Sequence, residues 1–163
     1  MTEATLITGG ARPAVRLERL LPDPPEVVWR AITEPEQLKG WFPCDVIVAD
    51  GGWEPGATIR FEFPGLAMDG AVLEADEPRR LAFTWGEEIL RFELRAEGDG
   101  TRLVLTDELP GSIAARNAAG WDGCLDRLAG LSGGPWRARF DRYTAVFEPE
   151  LGPQDGPPAG YQG

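Results

Sequence analysis

The sequence predicts an α+β fold in which a curved antiparallel sheet of about seven strands wraps around one long C-terminal helix, with two short helices after the first strand. Alternating apolar and polar residues, interrupted by Gly and Pro turns, occupy most of residues 14–109 and predict the strands. The turns after residue 44 are short, which is typical of an antiparallel meander. Residues 112–131 carry apolar side chains at steps of three and four, which predicts the helix. Because one face of the sheet is apolar, we expect this helix to cover it.

The composition indicates one folded domain and excludes several kinds of function. The chain has 163 residues, of which 42% are hydrophobic. Its net charge of -11 argues against nucleic acid or an anionic membrane surface as a partner. No apolar run reaches the ~20 residues of a membrane span, and MTEATLITGG lacks the pattern of a signal peptide, so we expect a cytoplasmic protein without membrane insertion. The absence of histidine removes His-based triads and most zinc sites, and we expect no metal and no cofactor.

The N-terminal part predicts one strand and two short helices. Residues 1–11 are polar and predicted to be flexible. Residues 14–21 alternate as a strand with Val15, Leu17, Arg19 and Leu21 on one face. A helix that opens with Pro24-Pro25 ends before Pro35, where a second short helix begins.

Six further strands are predicted, and three of them have a clear apolar face. Ile59, Phe61 and Phe63 share one face, Leu81, Phe83 and Trp85 another, and Leu90, Phe92 and Leu94 a third. Gly98-Asp99-Gly100 is a hairpin signal between the last two strands. The strands are expected at residues 44–49, 57–63, 70–75, 81–85, 88–96 and 102–109.

The helix over Ser112–Leu131 has one polar residue, Asn117, on its apolar stripe. Asp122 and Asp126 fall mostly off the stripe, and Gly120 and Gly123 suggest close packing of a neighbour against the helix. The stripe consists of Ile113, Asn117, Trp121, Cys124, Leu128 and Leu131.

Beyond the Gly133-Gly134-Pro135 break, a last helix is predicted from the spacing of Trp136, Phe140, Tyr143 and Phe147. We expect one domain over residues 12–149 and a flexible tail over residues 150–163.

Five segments of the chain resemble the SRPBCC (START-like) superfamily. They are PPEVVWRAITEPEQLKGWFP, GG before PGATIRFEF, DGAVLEADEPRRLAFTW, GDGTRLVLTDEL and AGWDGCLDRLAGL. More narrowly, they are similar to the group named after the activator of the ninety-kilodalton heat-shock protein ATPase. The similarity runs from about Ala14 to Phe147.

The resemblance implies a helix-grip fold with an internal cavity between the curved sheet and the long helix. Across the superfamily this cavity is used for lipids, sterols, polyketides and other apolar molecules. Members of the group often carry a polar residue, commonly His, three positions before the Gly of a Gly-Trp pair. In this sequence that position is Asn117, a neutral amide that can orient a ligand but does not titrate.

Nine residues are predicted to line such a cavity and to contact a small apolar ligand. Ordinary core packing is the alternative for the aromatic side chains, and a locally satisfied buried amide is the alternative for Asn117. Met68 is predicted at the cavity mouth, or else as a loop residue packed on the surface. The nine residues are Asn117, Trp121, Phe61, Phe63, Trp85, Phe92, Trp41, Trp53 and Met68.

Three functions are consistent with the sequence, and the leading one is a small-molecule binding protein that is a monomer or a homodimer. The second is a cavity enzyme of the aromatase/cyclase or hydrolase type, which predicts a carboxylate or Tyr of perturbed pKa in the cavity. Glu87, Glu88, Asp107 and Glu108 are candidates for it, with solvated strand ends as the alternative. The third is an interaction module like the chaperone-ATPase activators, which predicts an exposed apolar patch.

Overall fold

The structure, a computed structural model, describes residues 3–132 and 134–157, and this part of the chain contains eight strands and four helices. The helices are α1 (Pro25–Thr33), α2 (Pro35–Leu38), α3 (Ala114–Leu128) and α4 (Trp136–Leu151). The strands are β1 (Thr5–Ile7), β2 (Ala14–Leu21), β3 (Asp45–Val48), β4 (Thr58–Phe63), β5 (Leu66–Asp76), β6 (Arg80–Trp85), β7 (Glu88–Glu97) and β8 (Gly100–Glu108). The predicted α+β architecture is confirmed.

All of these strands form one antiparallel sheet in the order β1-β2-β8-β7-β6-β5-β4-β3. The run from β3 to β8 pairs in chain order, which confirms the predicted meander. A register shift between Val72 and Glu74 marks a bulge in β5, and bulges bend and twist a sheet.

The eighth strand, β1, lies in the segment that the sequence predicts to be flexible. Thr5 pairs with Arg16 and Ile7 pairs with Ala14 along the edge of β2. A three-residue strand is too short to show an alternating pattern, and the pairing partner supplies its order.

The concave face of the sheet carries the predicted apolar residues, and α3 packs against it. Phe61, Phe83 and Phe92 are each buried. The face of α3 that is most deeply buried is made of small residues, which lets the helix approach the sheet closely. These residues are Ala114, Ala115, Ala118 and Ala119.

The helix α3 is shorter than predicted at both ends. A 3₁₀ turn, Gly111–Ile113, precedes it, so Ser112 is not its N-cap. At the other end Gly130, with a φ of 81°, donates its N–H to the carbonyl of Arg127 and terminates the helix before the expected break. Leu131, predicted on the apolar stripe, is therefore 61% exposed. At Gly120 an added Cβ would meet nothing within 4 Å, so the close neighbour expected there is absent from the described residues.

The predicted last helix is confirmed as α4, which packs along α3 through Phe140, Tyr143 and Phe147. Because α4 covers the second side of α3, Asp122 and Asp126 are buried, contrary to the prediction that they lie off the buried face. No helix within residues 3–132 and 134–157 is long and apolar enough to cross a lipid bilayer.

The tail predicted to be flexible over residues 150–163 begins inside α4, and its next residues are held by α3. The Gln154 side chain accepts a hydrogen bond from the Ala115 N–H at 2.9 Å and donates to the Gly111 carbonyl at 2.9 Å. Residues 158–163 lie outside the described residues.

A buried charge network joins β2, α3 and α4. The Arg19 guanidinium lies 2.9 Å from Asp122 Oδ1 and 3.4 Å from Asp126 Oδ1. Arg139 of α4 contacts Asp126 Oδ2 at 2.5 Å, and the Tyr143 hydroxyl donates to Asp122. Paired in this way, the buried charges fix the position of α4 on α3.

Candidate functional site

The aromatic residues predicted to line a cavity form one connected cluster between the sheet and α3. Phe42 lies at its centre, with its ring centroid 5.1 Å from that of Trp85, 5.4 Å from Trp41 and 5.7 Å from Trp121. Phe61 lies 4.8 Å from Trp85. Rings at these separations are in contact, so they fill the interior at this point. Core packing accounts for these contacts, and the role of the rings as ligand contacts stays a prediction.

Trp41 and Trp53 also hold α1 in place. The indole N–H of Trp41 donates to the Ala31 carbonyl at 3.0 Å, and that of Trp53 donates to the Thr33 carbonyl at 2.8 Å. Both carbonyls belong to the last turn of α1, where carbonyl groups lack an N–H donor from the helix itself.

A pair of inward-facing carboxyl groups lies beside the aromatic cluster, close to the first turn of α3. We call Glu88 and Asp107 the acid pair. Asn117 Nδ2 donates to Glu88 Oε1 at 2.6 Å and to Asp107 Oδ2 at 3.3 Å. Trp121 Nε1, one helical turn further on, donates to the same Asp107 Oδ2 at 2.9 Å. Two of the predicted site residues therefore contact the acid pair.

The strand pattern explains why both carboxyl groups point inward. Asp107 is 0% exposed and shares the inner face of β8 with Leu103 and Leu105. Glu88, half-buried, is in phase with Leu90 and Phe92 on β7. The alternative of solvated strand ends is therefore wrong for Asp107. Its place in an otherwise apolar alternation was the signal available in the sequence.

Burial raises the pKa of both carboxyl groups. The pKa of Glu88 is raised to about 10, first by burial, then by the charge of Asp107 and the hydrogen bond between the two carboxyl groups. Burial raises the pKa of Asp107 to about 6, against the hydrogen bonds from Glu88, Trp121 and Asn117, which lower it. Asp107 has the lower pKa, although it is the more buried group, because these donors stabilise its charge. The increase is larger for Glu88, so within this coupled pair Glu88 is the group that keeps its proton to the higher pH.

No cation in the described part of the chain forms an ion pair with the acid pair within 4.0 Å. Arg12, whose charge lowers the pKa of Asp107, donates instead to the Glu87 carbonyl at 2.6 Å and the Glu108 carbonyl at 3.3 Å. Asp107 Oδ1 is buried and receives no hydrogen bond from an N–H donor or a hydroxyl group of the described residues. The hydrogen bonds to the pair therefore come from neutral donors and from the proton that it shares.

The acid pair lies near the half-exposed edge of the aromatic cluster. Trp85 is the direct cross-strand partner of Glu88, and Phe63 lies 5.6 Å from Trp85. Met68 packs against the core at this edge, where a Cβ added to Gly86 would lie 3.7 Å from its sulfur. Glu88, Asn117, Phe63 and Met68 are all half-buried, so this edge is accessible from solvent.

A cleft of about 420 Å³ opens elsewhere, between α1, α2 and the C-terminal end of α3. Of the nine predicted site residues only Trp41 lines it. Arg127, Asp23 and Gln37 are its polar groups. Its apolar lining consists of Leu21, Pro22, Val27, Val28, Ala31, Trp41, Leu128 and Ala129.

Neither place offers a metal site or a reactive thiol. Within residues 3–132 and 134–157 there is no group of three or more His, Cys, Asp or Glu side chains that could hold a metal ion. Cys44 and Cys124 are free and buried, and burial raises the pKa of their thiols to about 12 and about 11.

Solved structures with the same fold come from several bacteria. The chain is similar to the conserved protein of unknown function EF2215 from Enterococcus faecalis, with 23% identity and a TM-score of 0.75 over 88% of this chain and 89% of that one. The protein encoded by the gene BPP1335 of Bordetella parapertussis is 27% identical, with a TM-score of 0.66 over 93% and 96% of the two chains.

A third similar structure is DynU16, from the dynemicin biosynthetic locus. It is 28% identical, with a TM-score of 0.63 over 72% of this chain, which spans 46% of the DynU16 chain.

The family comparison agrees with the helix-grip architecture. No curated protein matches the chain. The sequence profile described as activator of Hsp90 ATPase homolog 1-like protein matches residues 23–133, which include α1, α2, the whole meander and α3. The chain therefore belongs to the family of activator of Hsp90 ATPase homolog 1-like proteins, within the SRPBCC type of fold.

Proposed function

We propose that the protein binds a small, largely apolar molecule in the cleft between α1, α2 and the end of α3. The volume of this cleft, about 420 Å³, carries the proposal, because small-molecule sites are clefts of ~300–1,000 Å³ with mostly apolar walls and a few polar groups. The fold of the family, which suggests ligand binding, supports this proposal. The similarity to DynU16, a protein of a biosynthetic locus, supports it as well.

The lining of the cleft offers apolar contacts to one part of a ligand and hydrogen-bond donors to another part. Val27, Val28 and Leu128 offer apolar contact, and burying apolar surface there is worth ~25 cal/mol per Å². Arg127 and Gln37 offer hydrogen-bond donors to a polar group of the ligand. The aromatic cluster behind Trp41 then serves as the rigid wall of the cleft.

The test is a fluorescence titration with 1-anilinonaphthalene-8-sulfonate, an apolar anion, on the folded full-length chain. Ala31→Trp fills the cleft from α1 and should weaken binding at least about tenfold, which is ~1.4 kcal/mol. Ala145→Trp adds the same side chain at an exposed position of α4 and should leave binding unchanged. Absence of binding by the unmodified protein, or equal binding by both variants, contradicts the proposal.

The cavity-enzyme and interaction-module alternatives stay predictions. The feature that the enzyme alternative requires, an inward-facing carboxyl group of perturbed pKa, is present in the acid pair. The acid pair lies near the N-terminal end of α3, and the cleft lies at its C-terminal end.

A further inference from the structure

We propose that the acid pair is a second binding site, which takes a protonated amine group carried by a small organic molecule. It is separate from the cleft and does not depend on the function proposed there.

No cation of the described residues forms an ion pair with the acid pair. Buried carboxylates in proteins are normally paired with a cation, because removing an isolated charge from water is costly. Glu88 and Asp107 receive hydrogen bonds from the amide of Asn117 and the indole of Trp121, which are both neutral. Among the described residues no Arg or Lys approaches either carboxyl group within 4.0 Å.

One buried oxygen of the acid pair has acceptor capacity that the described residues leave unused. Asp107 Oδ2 accepts two hydrogen bonds, whereas the buried Oδ1 has none from the N–H donors or hydroxyl groups of the described residues. Of the described residues, only Glu88, through the proton that the two carboxyl groups share, is left to supply one. An ammonium group has three N–H donors and one positive charge, so it can replace that proton and bond both carboxylates.

The aromatic surroundings of the acid pair favour an organic cation over a metal ion. Trp85 pairs with Glu88 across the strands, and its ring lies 6.2 Å from that of Trp121. Trp121 presents its N–H edge to Asp107, so the two indoles offer an apolar aromatic surface to the organic part of a cation. The described residues provide only the two carboxyl groups of the pair here and no third metal-binding side chain.

The acid pair is accessible from solvent through Glu88. Glu88 and Asn117 are half-buried, so an amine can reach them from the edge at Phe63 and Met68 while its apolar body lies against the aromatic cluster.

The charged groups around the pair modulate this site without occupying it. Arg12, which precedes β2, and Arg116 of α3 lower the pKa of Asp107 and Glu88 respectively. Glu87 presents its carbonyl to Arg12, and Glu108 pairs with Arg91 at 3.5 Å. Because the amine displaces a proton, its affinity should rise with pH until either the free pair or the ammonium group itself loses its proton.

The experiment compares benzylamine with benzyl alcohol, a neutral molecule of the same shape, by isothermal titration calorimetry at pH ~7. Benzylamine should bind the full-length protein at least about tenfold more tightly. Titrations in two buffers of different ionisation enthalpy should show release of about one proton per bound amine. Equal affinity for the two molecules, or no binding of either, overturns the proposal.

Two variants of the acid pair locate the effect, and a third variant, in the cleft, is the control. Glu88→Gln removes the shared proton but keeps the charge of Asp107, so the amine should still bind while proton release falls to about zero. Asp107→Asn removes the charge and should abolish the preference for the amine. Ala31→Trp, which fills the cleft, should change neither quantity. Near-ultraviolet circular dichroism establishes that each variant is folded, and wild-type proton release in Glu88→Gln contradicts the assignment.

Discussion

The indole N–H of Trp121 donates a 2.9 Å hydrogen bond to Oδ2 of Asp107, a carboxyl group with no exposed surface. We expect Trp121→Phe to lower the free energy of unfolding by about 2–3 kcal/mol, because a buried charged acceptor loses its donor. Trp53→Phe is the control, since the indole of Trp53 donates to the neutral Thr33 carbonyl and its loss should cost about 1 kcal/mol. Urea denaturation of both variants measures the difference, and equal losses would show that the charge of Asp107 is unimportant.

The acid pair should make the protein less stable as the pH rises. The folded state keeps on Glu88, whose pKa is about 10, a proton that the unfolded chain releases near 4.5. Asp107 does the same between 3.8 and about 6. The folded state thus binds more protons, and the free energy of unfolding should fall from about pH 5 to pH 9, by at most ~1.4 kcal/mol per pH unit for each proton.

Glu88→Gln should remove most of this pH dependence, and the exposed neighbour variant Glu87→Gln should not. Denaturation at several pH values gives the profile. A flat or rising wild-type profile, or an unchanged slope in Glu88→Gln, would count against the raised pKa of Glu88.

The buried network around Arg19 should contribute much more to stability than an exposed ion pair. Arg19→Met leaves Asp122 and Asp126 without their nearest shared cation and should cost about 3–5 kcal/mol. Arg60→Met breaks the exposed pair with Glu62, 2.8 Å apart, and should cost less than about 1 kcal/mol. If the two variants lose similar amounts of unfolding free energy in chemical denaturation, Arg19 is not essential to the packing of α3 and α4.

Replacement of two glycines by alanine should change the stability of the protein in opposite directions. A Cβ at Gly70 would lie 2.3 Å from the Thr84 carbonyl oxygen and 2.8 Å from Phe61, so Gly70→Ala should destabilise the protein by about 1–3 kcal/mol. A Cβ at Gly120 on α3 meets nothing within 4 Å, so Gly120→Ala should stabilise it by up to about 1 kcal/mol. Thermal melts of the two variants give the signs, and destabilisation by Gly120→Ala would reveal a neighbour at that position.

Both cysteines should be inert in the folded protein. Burial raises the pKa of Cys44 to about 12 and that of Cys124 to about 11, so few thiolates form near neutral pH. Ellman's reagent should label neither thiol in native protein and both after denaturation in urea. Fast labelling of the native protein would indicate that α3 opens readily from the sheet.

Local patterns were sufficient to predict the meander and α4. The alternation through Ile59, Phe61 and Phe63 needs only the two-residue period of a strand, and the spacing of Phe140, Tyr143 and Phe147 needs only the turn of a helix. The strand β1 was not predictable in this way, because it is ordered by its pairing with β2.

The candidate site shows where local patterns were insufficient. Asn117 stands out in the sequence as a polar residue on an apolar stripe, but its partners, Glu88 and Asp107, come from two different strands. Their pKa values depend on burial under α3, which no single segment contains. The cleft likewise is formed by α1, α2 and the end of α3 together.

The sequence by itself determined the family, the order of most strands and helices, and the aromatic inner face, because these follow from side-chain type and spacing along the chain. Only the tertiary structure decided that Asp122, Asp126 and Asp107 are buried. The cost of burying a carboxylate depends on what surrounds it in space: Arg19 and Arg139 compensate the first two, whereas Asp107 has a shared proton and neutral donors.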